Sequence, residues 1–275
     1  MAHLGIMIKA TLSAALFALA LAAPVQAQSV PENAVQATIV PGWLRADGTR
    51  VAALQLTLAP GWKTYWRAPG DTGIPPQFNW SGSRNLAGVG ISWPAPQVYR
   101  EGGIRTIGYK DRLVLPLTLA PRQADKPIEL NLDLDLGVCR DICIPAQLSV
   151  SATLADSNPN PTPAIAAALA ARPYSAKEAG VSQARCALRP SALGMEIEAT
   201  LTLPHAGGRE VVVIEPGPSN LWMSETDTTR QGNQLVATGD MAAYEGGSIV
   251  LDRSEIRITV LGKNHAVEIN GCTPG

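Results

Sequence analysis

The chain has 275 residues, a formal net charge of −1, 46% hydrophobic residues, 16% charged residues and four cysteines. That length holds one large domain or two ordinary ones, and the balanced charge excludes the basic footprint of a nucleic-acid binder and a polybasic grip on an anionic membrane. With 25 glycines, 22 prolines and plentiful Leu, Ile and Val, the composition excludes disorder and suits short strands joined by many turns.

The N-terminus reads as an export signal. Lys9 gives a positive n-region, Ala10 to Ala23 form a short apolar run, and Val25-Gln26-Ala27 places small residues at a cleavage site. The run is shorter than the roughly 20 residues of a membrane span. A signal peptide over residues 1–27, cleaved after Ala27, is therefore expected, and its form points to the bacterial periplasm, where disulfides persist. No later segment approaches a span, so no direct membrane crossing is expected.

The rest alternates as strands do. Leu54, Leu56 and Leu58 alternate with Gln55 and Thr57, after an Asp47-Gly48 hairpin turn. Leu113, Leu115, Leu117 and Leu119 share one parity. Ile128, Leu130, Leu132, Leu134 and Leu136 alternate with Glu129, Asn131, Asp133 and Asp135, as in a half-buried strand that runs into Gly137. A further strand is expected from Gln147, after Pro145. Residues 156–161 have linker composition, and Thr162 with Pro163 then opens a short helix that ends near Arg172. Beyond it come Met195–Leu203, Val211–Ile214, Gln234–Thr238, Ile256–Val260 and His265–Ile269. His265 shares parity with Val267 and Ile269 and reads as packing. The predicted fold is all-β, with two tandem β-sandwich domains over residues 28–155 and 174–275, joined by a linker and short helix at 156–173.

Most of the tryptophan lies in the first domain. Within Trp62-Lys63-Thr64-Tyr65-Trp66-Arg67, alternation sends Trp62, Thr64 and Trp66 to one face and Tyr65 to the other. Such a cluster is hard to bury whole, so part of it is expected to wall a binding surface.

Four cysteines allow three pairings. The simplest is Cys139–Cys143 and Cys186–Cys272, one bridge per domain. Cys186–Cys272 brackets nearly the whole second domain and reads as structural. Cys139–Cys143 closes a tiny loop that restrains the unfolded chain little. Four strand residues span about 13 Å and bridged Cα atoms lie within about 7 Å, so the chain must turn between them. The pair is expected in a loop at the end of two adjacent strands, where a partner can reach it; small exposed disulfides are the exchanging kind. A local structural staple is the plain alternative. Two thiolates without a nearby histidine leave a zinc site half empty, although they can hold copper(I). No metal site and no cofactor are expected.

Gly137-Val138-Cys139-Arg140-Asp141-Ile142-Cys143-Ile144-Pro145 resembles the redox loop of the N-terminal periplasmic domain of the thiol:disulfide interchange protein DsbD family, and more closely that of the related suppressor-of-copper-sensitivity (ScsB-like) proteins. Gly61–Asp71 and Tyr109–Pro116 resemble the family's early strand and the strand after its cap loop. The resemblance implies an immunoglobulin-like fold for the sandwiches. It makes Cys143 the cysteine that forms mixed disulfides and Cys139 the one that resolves them. The segment from Tyr99 to Tyr109 takes the place of the cap loop. The family's cap carries an aromatic at its tip, whereas Arg100-Glu101-Gly102-Gly103 has none; Tyr99, Tyr109, Trp62, Tyr65 and Trp66, with Glu101, are the candidate cap or partner-contact residues. The implied partners are a separate membrane-embedded electron donor of the DsbD/CcdA type and periplasmic thioredoxin-like or disulfide-isomerase clients.

The expected function is thus periplasmic thiol–disulfide exchange, a protein-disulfide reductase activity. The rival is a non-catalytic immunoglobulin-like binding module, for copper(I) or a docked partner, with two structural disulfides.

Overall fold

The alternating apolar positions of residues 128–136 become one inner face of a sandwich. In this computed structural model, which describes residues 34–70, 72–155, 160–217, 221–244 and 249–275, Leu130, Leu132, Leu134 and Leu136 are at most 2% exposed while the residues between them face solvent. The first sandwich comprises β1 (Val35–Leu44), β2 (Arg50–Leu58), β3 (Lys63–Tyr65), β4 (Gln77–Asn79), β5 (Leu86–Ile91), β6 (Gln97–Glu101), β7 (Ile104–Lys110), β8 (Arg112–Pro121), β9 (Ile128–Cys139) and β10 (Cys143–Leu154). One sheet has the order β1-β2-β8-β5 and the other β10-β9-β3-β7-β6, with β4 also paired to β9. All of these pairings are antiparallel.

Helix α1 (Pro163–Ala170) covers the outer face of the first of these sheets. Ile165 is wholly buried against Val51 and Ala53, which explains why β2 is buried on both faces along Arg50–Leu54. Thr162 precedes the helix as expected, but its hydroxyl donates to the Pro41 carbonyl at 3.2 Å instead of capping the helix.

The second sandwich comprises β11 (Tyr174–Ser175), β12 (Gln183–Ser191), β13 (Gly194–Thr202), β14 (Val211–Glu215), β15 (Leu221–Met223), β16 (Asp227–Gln231), β17 (Gln234–Ala243), β18 (Arg257–Leu261), β19 (Ala266–Asn270) and β20 (Thr273–Pro274). Its sheets run β11-β19-β18-β14 and β15-β17-β13-β12-β20, with β16 on β17. Ile197, Ala199 and Leu201 face Leu235, Ala237, Ile258 and Val260 in its core. His265 lies just before β19 and packs on Tyr174, with ring centroids 5.3 Å apart. Residues Glu32–Gly275 form one compact unit.

One expectation changes. The strands at the first cysteine pair do not stop at Leu136 and restart at Gln147; β9 runs through Cys139 and β10 begins at Cys143, so the pair closes a hairpin instead of occupying a loop. Pro145 is tolerated because β10 is the sheet edge, where a residue can turn its nitrogen away from the ladder. The expected signal peptide and residues 156–159 of the expected linker lie outside the described residues. No helix among the described residues is long and apolar enough to cross a membrane.

Cys186 and Cys272 are bridged across a separation of 86 residues, with Cα atoms 5.8 Å apart. The bond anchors the chain end, where β20 pairs with β12 and the Gly275 amide donates to the Cys186 carbonyl. Closing so long a loop restricts the unfolded chain by about 4.5 kcal/mol in the chain-entropy model. A Cys186→Ser/Cys272→Ser variant is expected to lose about that much unfolding free energy, read as a lowered urea midpoint. An unchanged midpoint would show the bond to be dispensable.

Candidate functional site

Cys139 and Cys143 are the last registered pair of the β9–β10 hairpin, bridged with Cα atoms 4.2 Å apart. That is close to the ~4.5 Å of a non-hydrogen-bonded cross-strand pair. Arg140, Asp141 and Ile142 make the reversal, with the Arg140 amide donating to the Ile142 carbonyl. The two cysteines are unequal: Cys139 is 8% exposed, whereas Cys143 is exposed.

β9 is solvent-facing at every second residue from Glu129 to Asp135 but buried on both faces at Gly137 and Cys139. The cover comes from β3. Lys63 pairs with Cys139, and Thr64 anchors the strand by donating its hydroxyl to the Gly137 carbonyl at 2.9 Å. Directly paired residues share a face, so Lys63 and Tyr65 lie on the side of the disulfide. The Tyr65 ring lies over Gly137, where a Cβ would come within 2.7 Å of it. A side chain at 137 would push the ring aside. So placed, the Tyr65 hydroxyl is 3.1 Å from Cys139 Sγ and donates to Cys143 Sγ at 2.9 Å. Burial raises the phenol above its ordinary value, which keeps the proton on the donor.

The cap is a tight hairpin. β6 and β7 are joined by Gly102-Gly103, whose φ values of 59° and 84° suit the two left-handed positions of a type I′ turn. Its tip folds over two lysines, Lys63 and Lys110, that are directly paired on β3 and β7. Opposed like charges repel. Here Glu101 takes the Lys63 ammonium at 2.5 Å, and the Tyr99 ring lies 5.1 Å from Lys63 Nζ and 4.6 Å from Lys110 Nζ. The hydrogen bond and charge of Lys63, aided by Lys110, hold the Glu101 carboxyl below its ordinary 4.5. Burial, then the Asp111 and Glu101 charges, push Tyr99 up to about 12. A cleft of about 260 Å³ remains between cap and hairpin, lined by Lys63, Tyr65, Tyr99, Glu101, Cys139 and Cys143 among others.

The structure therefore brings together five of the residues singled out from the sequence: Cys139, Cys143, Tyr65, Tyr99 and Glu101. Trp62 sits at the margin, 6% exposed, with the Arg140 guanidinium 5.4 Å from its ring. The side chains of Trp66 and Tyr109 do not face the disulfide. Trp66 is fully buried, and Tyr109, paired with Thr64 on the opposite face of the sheet, stacks near Trp93 and donates to the Pro94 carbonyl. Both indoles of the cluster are enclosed, because two sheets supply enough inner surface, while its Tyr65 lines the cleft beside the disulfide. Lys63 was missed, although its position two residues before Tyr65 on an alternating strand was a sufficient signal. Gly137 was missed as the clearance for the Tyr65 ring.

Residues 26–155 match the family model described as thiol:disulfide interchange protein DsbD, N-terminal. The crystal structure of the N-terminal periplasmic domain of ScsB from Proteus mirabilis is similar with a TM-score of 0.67 and 25% identity, over 90% of this chain and 97% of that one. The reduced N-terminal domain of DsbD from Neisseria meningitidis aligns at 18% identity and a TM-score of 0.25, over 46% of this chain and 89% of that one. No curated protein sequence matches the chain. The immunoglobulin-like fold expected from the sequence is borne out.

The Lys63–Glu101 contact is expected to make closure of the β6–β7 hairpin over the disulfide depend on pH. Because the Glu101 carboxyl is held below 4.5, its contribution is complete above that value and is lost as pH falls through the lowered one. Reduction of Cys139–Cys143 by a water-soluble phosphine is expected to be faster in Glu101→Gln than in wild type near neutrality, and the ratio should fall toward one as pH drops through the lowered Glu101 value. A ratio that stays constant with pH would show that the contact does not hold the cap.

Proposed function

We propose, from the match of residues 26–155 to the DsbD N-terminal family model and the likeness to the ScsB N-terminal periplasmic domain, that the chain is a periplasmic thiol–disulfide exchange module that works through Cys139 and Cys143. The observation that carries the reading is the unequal disulfide at a hairpin tip, with one sulfur exposed, the other sheltered and a phenol proton directed at them.

In the reduced protein, Cys143 as thiolate attacks one sulfur of a client disulfide. A Cys143–client bond forms, the client S–S bond breaks, and the client's other sulfur leaves as a thiolate. Cys139, as thiolate, then attacks Cys143 Sγ, releases the client's second thiolate and re-forms Cys139–Cys143. Two electrons pass to the client, whose thiolates take protons from solvent. A donor dithiol reverses the sequence to recharge the pair, and the donor is membrane-embedded and of the DsbD/CcdA type. Clients are thioredoxin-like or isomerase-like proteins of the periplasm.

Each surrounding group has a part. Tyr65 donates to sulfur and stabilises a thiolate there more than a thiol, because a hydrogen bond to an anion is the stronger. Lys63 and Lys110 supply positive charge beside the cleft, which favours the thiolate. Glu101 and Tyr99 occupy that charge while the cap is closed. Cap opening frees the ammonium groups as a partner arrives, so sulfur is activated only when a client is present. Arg140 and Asp141 pair at 2.9 Å within the turn, and their charges offset one another.

The test is trapping. Cys139→Ala leaves Cys143 able to attack but not to be released, so mixed disulfides should accumulate in periplasmic extract. Cys143→Ala should trap far less, because its remaining sulfur is buried. No trapped partner from Cys139→Ala, together with a reduction potential below about −300 mV, would make the bond a structural staple.

A further inference from the structure

We propose that the second sandwich sets how readily the cap opens, with Glu225 and Arg105 as positioning residues for the exchange site. The inference rests on the functional reading for its significance, but the contacts behind it stand independently.

Arg105 follows the cap turn by two residues and lies on β7, the returning strand of the cap. Its side chain is 12% exposed, Nε is 2.9 Å from Glu225 Oε2, and Nη1 donates to the Thr226 carbonyl at 3.3 Å. Both partners come from the second sandwich. Two residues after Tyr65, Arg67 makes a forked pair with Glu215 at 2.9 to 3.2 Å and reaches Glu268 at 2.8 Å. Burial alone would depress this guanidinium, but the hydrogen bonds and charges of Glu215 and Glu268 outweigh it and raise it. The stretch between is tied to the cap strand: the Trp66 amide donates to the Ile107 carbonyl, and the Ile107 amide to the Pro69 carbonyl. At Gly70, with φ 96°, the backbone passes so close that a Cβ would lie 3.0 Å from Glu225 Oε1 and 3.1 Å from the Arg105 carbonyl.

The cap's base is thus held from behind by three glutamates of the second sandwich, while its tip is held from the front by Lys63. Arg100, which pairs with Arg105 on the outgoing strand, is depressed by burial and then by the like charges of Arg209 and Arg105, with the Glu225 charge opposing them. The ion pair and hydrogen bond to the second sandwich fall on the returning arm. Such an arrangement fixes the returning arm and leaves the outgoing arm, which carries Tyr99 and Glu101, as the one that lifts.

The experiment measures reduction of Cys139–Cys143 by a water-soluble phosphine in the full chain, a readout that needs no protein partner. Glu225→Gln is expected to accelerate it about fivefold, the effect of losing one partly buried ion pair. Glu178→Gln breaks the Arg172–Glu178 pair, which is not a cap contact, and should leave the rate unchanged. The charge swap Arg105→Glu with Glu225→Arg should restore most of the slow rate, as a double-mutant cycle requires of a direct coupling. Should Glu225→Gln fail to fold, Arg105→Gln breaks the pair from the other side and must give the same acceleration. An unchanged rate in the folded Glu225→Gln variant, or a swap no slower than either single change, would overturn the proposal. If Cys139→Ala traps no client while Glu225→Gln still accelerates reduction, the functional reading fails and the positioning role survives.

Discussion

Two cysteines with three residues between them can be bridged only if the chain reverses, and most of the site follows from that reversal. It makes Cys139 and Cys143 the closing pair of the β9–β10 hairpin, with both sulfurs on one face. One strand of the hairpin has β3 as its other neighbour; the other is the sheet edge. Cys139 is consequently walled in while Cys143 stays open to solvent. The asymmetry that an exchange reaction needs, one sulfur to meet a partner and one held back to resolve the adduct, is a consequence of sheet order.

The face that carries the sulfurs also collects charge. Register places Lys63 between Cys139 and Lys110, so two ammonium groups stand side by side near a bond whose reduction creates anions. In the closed state that charge is occupied by the Glu101 carboxylate and the Tyr99 ring. A cap that shields by electrostatic occupation has no need of an aromatic at its very tip. The glycine pair there serves geometry instead, because a two-residue turn with both φ values positive excludes side chains that carry a Cβ at little cost. On the proposed exchange reading, the same lysines are available to a thiolate once Glu101 moves away, so shielding and activation draw on one set of charges.

Much of this was legible in the sequence. Strict alternation over Ile128–Leu136 and Met195–Leu203 identified sandwich strands because each faces a core on one side and water on the other. The hairpin tip was harder to read: Pro145 looks like a strand stop until its place on the edge strand is known. The bulk of the Trp62–Arg67 cluster makes Trp66 look too large for one core, and the cap-loop resemblance makes Tyr109 a surface candidate. Parity already put Trp66 on the face opposite Tyr65, and register with Thr64 puts Tyr109 there as well. Lys63 escaped notice because a lysine in a strand normally points to solvent; its burial depends on a cap supplied from residues 97–110. The ion pairs of Arg67 and Arg105 with the second sandwich join residues too far apart in sequence for any local pattern to reveal.

The central claim is that one disulfide cycles and the other does not. Thiol trapping of the wild-type protein in periplasmic extract, followed by mapping of the modified cysteines, tests it most directly. The account predicts that Cys139 and Cys143 are recovered in both thiol and disulfide forms while Cys186 and Cys272 are recovered only as the disulfide. Both pairs fully oxidised under every redox condition that leaves the protein folded would contradict it.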